Sequence, residues 1–328
     1  MIRSRRLVLA GLAFAILWPL RVRAQSAKPA PRIGVAVWGS QELDAHRVAS
    51  LKAGLADLGW KDGTNMQLDI AWGQGNQARY RSLIAELVTK KPALLVVSRD
   101  TEASIALPMT GSIPILFASG FDPVGLGLVT SLANPGGTVT GISMQNRELS
   151  PKRLELLKEA MPQLARVGAL YREGDENSLH WLKITGEQGR ARGVQVVPIP
   201  IGRREDLAPA FASAAKQKTG AILNIADRLF FELHKDLAEF SLKHGMASIG
   251  GVPEFAEAGA LLSYAPDAAF AWRRLATFVD RILKGAVPAK MPVEQLNVFE
   301  FVVNLRTAKA LKIKLPQSLL LQATRVIE

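Results

Sequence analysis

A short apolar strand followed by an amphipathic helix recurs along this chain, and that alternation limits the fold more than any other feature. Arg32-Ile33-Gly34-Val35-Ala36-Val37-Trp38 is an apolar run of strand length, broken by Gly39-Ser40. Val48, Leu51, Leu55 and Leu58 follow at helical spacing and share one face, with Gly59 placed to end the helix in a left-handed turn. Met66 to Trp72 alternates apolar and polar residues as a second strand, and Tyr80, Leu83, Ile84, Leu87 and Val88 mark a second helix. Pro92 to Val97 and Ile113 to Phe117 read as buried strands. Strands that are apolar on both sides and alternate with helices require a parallel sheet covered on both faces.

The pattern restarts near Ser150-Pro151, read as a helix start with Ser as cap and Pro in the first turn. Arg166 to Tyr171, Val194 to Pro200 and Gly220 to Ile225 are the next strands, and shorter ones lie near Ala247-Ser248-Ile249 and Ala260 to Ser263. Phe230, Leu233, Leu237 and Phe240 mark the helix behind the third, and a long helix runs from Asp267 to Lys284. The fold class is therefore α/β, with two Rossmann-like lobes built on parallel sheets. The first lobe is expected over residues 32–145 and the second over 150–285. Residues 290–328 hold one strand, Val298 to Val303, and one helical segment, Thr307 to Leu311. Such a pair cannot bury both its faces alone, so this tail is expected to return to the first lobe.

The first two dozen residues read as a secretory signal. Arg3, Arg5 and Arg6 precede an apolar run from Leu7 to Leu20, and Val22-Arg23-Ala24 places short residues around a cleavage site before Gln25. The run is shorter than the ~20 residues that span a bilayer. Ser4-Arg5-Arg6-Leu7-Val8-Leu9 resembles a twin-arginine signal, with Val8 where Phe is usual, so the export route stays open. The 328 residues include no cysteine, which excludes a disulfide framework and a lipid-modified cysteine at the cleavage site. A protein free in the periplasm is expected. Of the formal charge of +12, five arginines belong to residues 1–24, which leaves +7 on the rest. That remainder is scattered among acids, as in Lys152-Arg153-Leu154-Glu155, and has no aromatic–basic stripe, so no nucleic-acid partner is expected.

The search for catalytic patterns is negative. Gly125-Leu126-Gly127 lacks the third glycine of a dinucleotide fingerprint, and neither a phosphate-binding loop nor a nucleophile elbow is present. His46, His180, His234 and His244 do not fall at metal-ligand spacing. No catalytic residue, metal or cofactor is expected. Ligands of open α/β sheets bind beyond the carboxyl ends of the strands. The loops there supply the candidates: Trp38, Ser40, Ser98, Thr101, Ser119, Phe121 and Asp122 from the first lobe, and Tyr171, Asp227, Glu254 and Tyr264 from the second. Ser98 and Thr101 at a helix start suit a ligand carboxylate. Trp38, Phe121 and Tyr264 suit an aromatic or apolar ligand body. Asp227 reads equally as an acceptor for a ligand amine and as the cap of the helix starting near Leu229; Asp100 or Thr101 also reads as a cap. Arg99 and Arg172 read as surface charges.

One long stretch is more specific. Phe121-Asp122-Pro123-Val124-Gly125-Leu126-Gly127-Leu128-Val129-Thr130-Ser131-Leu132-Ala133-Asn134-Pro135-Gly136-Gly137-Thr138-Val139-Thr140-Gly141 resembles the signature of a family of ABC transporter substrate-binding proteins that includes tryptophan and aromatic amino-acid binders. Ser150 to Lys158, Pro292 to Gln295 and Asn304 to Leu311 are similar to it as well. The resemblance implies a type I periplasmic-binding fold, two lobes joined by a three-crossing hinge, with the ligand between them. It also implies an ABC permease as partner. Thr138 stands where the family commonly has Asn, Arg172-Glu173-Gly174 where Asn-Pro is frequent, and Arg99-Asp100 is more charged than usual. All three departures are expected at the cleft.

The expected function is thus a monomeric, exported receptor of an ABC importer that closes on an amino-acid-like or aromatic carboxylate. A ligand sensor for a membrane signalling partner and a small-metabolite hydrolase are the alternatives. N-terminal sequencing of periplasmic protein should find a mature start near Gln25; retention of Met1 to Leu20 in the soluble product would refute the signal-peptide reading.

Overall fold

Strands with no polar face must be covered twice, and the chain does this in two separate stacks. The computed structural model describes residues 29–120, 122–144 and 147–328. The expected signal peptide and Phe121 lie outside the described residues. The strands of the first sheet are β1 (Arg32–Val37), β2 (Gln67–Trp72), β3 (Leu94–Arg99), β4 (Ile115–Gly120), β5 (Val139–Ser143) and the short β11 (Glu294–Gln295). They lie in the order β11-β5-β4-β3-β1-β2, all parallel. The second sheet holds β6 (Arg166–Arg172), β7 (Gln195–Ile201), β8 (Ala221–Asn224), β9 (Ala247–Gly250), β10 (Leu262–Pro266), β12 (Phe299–Asn304) and β13 (Arg325–Ile327). Its order is β13-β12-β10-β9-β8-β6-β7, with β10 and β12 antiparallel.

Helices cover both faces of each sheet. On one face of the first lie α1 (Gln41–Asp57) and α10 (Ala268–Leu283), which share a core of Val48, Leu51, Leu55, Trp272, Leu275, Ala276 and Val279 with Val35 and Val96 of the sheet. On the other face α2 (Gln77–Thr89) and α3 (Asp100–Thr110) bury Tyr80, Ile84, Leu87, Ala103 and Ala106. The second sheet has α4 (Ser150–Ala160) and α5 (Glu176–Ala191) on one face and α6 (Leu207–Lys216), α7 (Arg228–Glu232), α8 (His234–Lys243) and α9 (Pro253–Glu257) on the other. Gly59 has φ +87°, as its expected place after α1 requires. Ser150 is not a cap: a 3-10 turn at Arg147–Leu149 precedes it, so it already lies inside the helix.

The two ends of the chain's second half are exchanged relative to the sequence reading. The helix expected in the second lobe, α10, packs on the first. Its apolar face meets that of α1, Trp60 Nε1 donates to Asp280 Oδ1 at 2.9 Å, and Arg274 pairs with Glu294 at 2.8 Å. The tail expected on the first lobe completes the second sheet instead, because the open edge of β10 pairs with β12 from Leu262↔Val303 to Pro266↔Phe299. α11 (Leu305–Ala310) and α12 (Gln317–Gln322) pack against the same second-lobe core through Ala308 and Leu319. Only the segment around Met291 to Leu296 returns to the first lobe.

The chain therefore crosses between lobes three times, after β5, after β10 and after β11. The crossings are bonded to one another: Asp267 N–H donates to the Val298 carbonyl at 3.0 Å and Leu296 N–H to that of Ser143 at 3.1 Å. The resemblance implied such a hinge.

Gly54 marks how closely α10 approaches α1. A Cβ there would lie 2.5 Å from the Arg273 carbonyl oxygen and 2.9 Å from Ala276 Cβ. Gly54→Val should force the helices apart and cost about 1–3 kcal/mol in urea unfolding, the usual penalty of overpacking. An unchanged midpoint would refute this close crossing.

Candidate functional site

The carboxyl ends of the two parallel sheets face each other, and the loops that leave them meet across the lobe seam. Trp38 leaves β1 with its backbone N–H donating to Ser98 Oγ at 3.0 Å, a bond that ties the ends of β1 and β3 together. Its ring packs 5.5 Å from that of Tyr80 and is 8% exposed. From the other lobe, the Arg228 guanidinium stands 4.4 Å from the Trp38 ring centroid. One helical turn further, the Phe231 ring lies 6.0 Å from the guanidinium of Arg99, a first-lobe residue also 6.0 Å from Trp38. Cations and aromatic faces thus alternate across the seam.

Arg99 is not the surface charge that its sequence suggests. Its Nε and Nη2 grip the fully buried Glu102 at 3.0 and 2.9 Å. Burial works against its charge, but the Glu102 carboxylate more than compensates and holds its pKa above the ordinary value. The start of α3 does not stand open to a ligand carboxylate either. Asp100 Oδ1 accepts the Thr101 N–H at 2.9 Å, and its Oδ2 accepts that of Asp122 at 2.7 Å. The chain's own anion takes the position where the helix dipole favours negative charge. The Thr101 hydroxyl donates to Glu102 Oε1 at 3.3 Å. The carboxylate role read for Thr101 is therefore filled within the chain, whereas no acceptor among the described residues takes the hydroxyl hydrogen of Ser98.

Asp227 ends the loop after β8 and caps α7, its Oδ1 accepting the Leu229 N–H at 2.9 Å. Arg172 Nη1 lies 3.8 Å from the same oxygen. The cap reading of Asp227 is thus realised, and the next residue, Arg228, is the one that reaches Trp38.

Two more contacts cross the seam. Arg47 on α1 donates to Asp44 Oδ1 at 2.6 Å and to Glu254 Oε1 of the second lobe at 2.9 Å. Asn177 at the start of α5 donates to Asp122 Oδ2 at 3.4 Å, while Asp122 Oδ1 closes its own loop by accepting the Gly125 N–H. Gly39 makes room for the first cluster, since a Cβ there would sit 1.9 Å from Asp44 Oδ2.

The remaining expected residues have partners of their own. Ser40 caps α1 by accepting the Leu43 N–H at 3.4 Å. The Ser119 hydroxyl donates to Met144 Sδ at 2.9 Å. Tyr171, half-buried, packs against the second-lobe core. Tyr264 lies at the hinge, its ring 5.4 Å from Phe299, with its carbonyl accepting from the buried Arg153 Nε at 2.8 Å. Thr138 precedes β5 at the amino end of the sheet, where its carbonyl accepts the Ile115 N–H, so this departure from the family pattern is not at the cleft. Sequence reasoning missed Asp44, Arg47, Asn177 and Phe231. Only the Asp44–Arg47 spacing of one helical turn hinted at a pair.

Asp44 gives this cluster a pH signature. Burial raises its pKa above 3.8, opposed by Arg47 and reinforced by the charge of Glu254. A raised acid holds a proton in the folded state that the unfolded chain has released. Stability from this group is then lost as pH climbs from the ordinary value through the raised one. Urea unfolding from about pH 3 to about pH 7 should show Asp44→Asn gaining on the wild type across that window. A constant difference would refute the assignment.

Comparison with known proteins agrees with this geometry. The chain matches the family described as ABC transporter substrate binding protein over residues 32–327. It is 26% identical over 269 residues to a tyrosine-binding protein of Clostridioides difficile (strain R20291), covering 82% of this chain and 77% of that protein. The crystal structure of an ABC domain in complex with L-Trp from Streptococcus pneumonia superposes with a TM-score of 0.78 at 26% identity, covering 90% of this chain and 99% of that one. The ligand-free, open structure of a substrate-binding protein with adhesive properties from Clostridium difficile shares the fold, with a TM-score of 0.73 at 22% identity over 91% and 99% of the two chains. Two parallel-sheet lobes, a triple crossing and a match over nearly all the described residues lead to one conclusion: this chain belongs to the ABC transporter substrate-binding protein family and is a solute-binding protein, not an enzyme.

Proposed function

We propose that the protein is the exported, periplasmic receptor of an ABC importer, working as a monomer, and that it closes its lobes around an aromatic amino acid. The observation that carries this reading is the approach of Arg228 to Trp38 at 4.4 Å, which sets the Asp227 end of the second lobe against an indole face of the first. A ring and an ammonium group a few bonds apart suit those two partners. Trp38 offers the stacking face, Asp227 accepts from the ammonium, and the Ser98 hydroxyl donates to the carboxylate. Relatives that bind L-Trp and tyrosine support the ligand class. Closure then shifts an open–closed equilibrium by the ligand's preference for the closed state, and the closed form docks on the permease.

Calorimetry and thermal melts with L-tryptophan and L-tyrosine test the reading. A ligand confined to the native state should add about 2.7 kcal/mol at 100 times its dissociation constant. Asp227→Asn keeps the cap but loses the charge, and affinity should fall by about 2–5 kcal/mol, as for a broken buried charge pair. Unchanged affinity in this variant would remove Asp227 from the site. No binding of either amino acid would overturn the ligand class.

A further inference from the structure

The face of Trp38 that a ligand ring would use is already covered. Tyr80 packs at 5.5 Å on the inner side and is fully buried, so the outer face is the one that opens to the cleft. Arg228 of the opposite lobe lies over it at 4.4 Å from the ring centroid, and Trp38 is 8% exposed. The position of Arg228 is built, not accidental. It follows directly on the Asp227 cap, which sets the start of α7, and its Nε is held by Glu232 Oε1 at 2.8 Å one turn along. A guanidinium is flat, delocalised and permanently charged, so it copies the stacking habit of an aromatic ring while also favouring the negative face of the indole.

We propose that Arg228 is a tethered occupant of the ring slot, which it must leave when a ligand ring enters. This rests on the reading that an aromatic amino acid enters between the lobes. Leaving costs Arg228 no charge partner, because Glu232 lies on its own helix and travels with it. Two consequences follow. The lobes are held together by a contact that ligand replaces, so apparent affinity is the intrinsic affinity reduced by the fraction of receptors whose slot is open. Selectivity also rises, since a side chain without a ring gains too little from Trp38 to displace a guanidinium. The other seam contacts, Arg47 with Glu254 and Asn177 with Asp122, do not involve the slot.

Arg228→Ala and Arg228→Lys test this against the alternative that Arg228 binds the ligand carboxylate. A tethered occupant predicts that Arg228→Ala binds L-tryptophan and L-tyrosine about tenfold tighter by calorimetry, a change of ~1.4 kcal/mol. Arg228→Lys, compact and not planar, should fall between. Small-angle scattering without ligand should give Arg228→Ala a larger radius of gyration, and its indole emission should change in the wild-type background but not with Trp38→Phe. Urea unfolding confirms that the variants fold. Weaker or equal binding by Arg228→Ala overturns the proposal while leaving the ligand class intact. No binding by wild type and variant alike overturns the ligand class, and the displacement with it.

Discussion

Two parallel sheets, each covered on both faces, cannot share a core, so the segments that join them decide how the molecule works. Here the joins are three neighbouring segments of backbone, bonded through Asp267 with Val298 and Leu296 with Ser143. Single crossings would let the lobes tumble. Three bonded crossings restrict their relative placement and keep the carboxyl ends of both sheets facing each other. Every contact across the seam, from Trp38–Arg228 to Arg47–Glu254, depends on that restriction.

The exchange of elements between lobes strengthens the same joint. α10 comes from the chain that has just built the second sheet, yet it buries Trp272 and Leu275 in the first-lobe core. β12 and β13 then return to the second sheet and carry Phe299 to Tyr264 at the hinge. Neither lobe is a continuous piece of sequence. Unfolding one therefore pulls on the other.

Charge in the cleft is handled mostly within the chain. Asp100 occupies the start of α3, Glu102 holds Arg99, and Asp44 and Glu254 share Arg47. Such pairing leaves few groups to choose a ligand. The Ser98 hydroxyl gives its hydrogen to no acceptor among the described residues, while Asp227 spends one oxygen on the α7 cap and lies 3.8 Å from Arg172.

Most strands and helices, though not β5, β11, β13, α9 or α12, were legible in the sequence because their cause is local. Val35 and Val96 fall in apolar runs of strand length, Leu51 and Leu55 fall on one helical face, and Gly59 must follow a helix end. The loops carrying Trp38, Ser98 and Asp227 were legible for the same reason, since strand ends define them. The partners of these residues were not. Whether Asp100 turns onto its own helix, whether Arg228 reaches Trp38, and whether Tyr264 faces the cleft or the hinge depend on residues far apart in the chain. The same limit explains the tail: an apolar strand such as Phe299–Asn304 declares that it must pair, but the open edge of β10 decides where. Periodicity along the chain thus determined most of the elements and the strand ends from which the candidate loops leave. Only the tertiary structure decided which lobe owns α10 and β12 and which charges meet, because those outcomes depend on distances that local sequence does not contain.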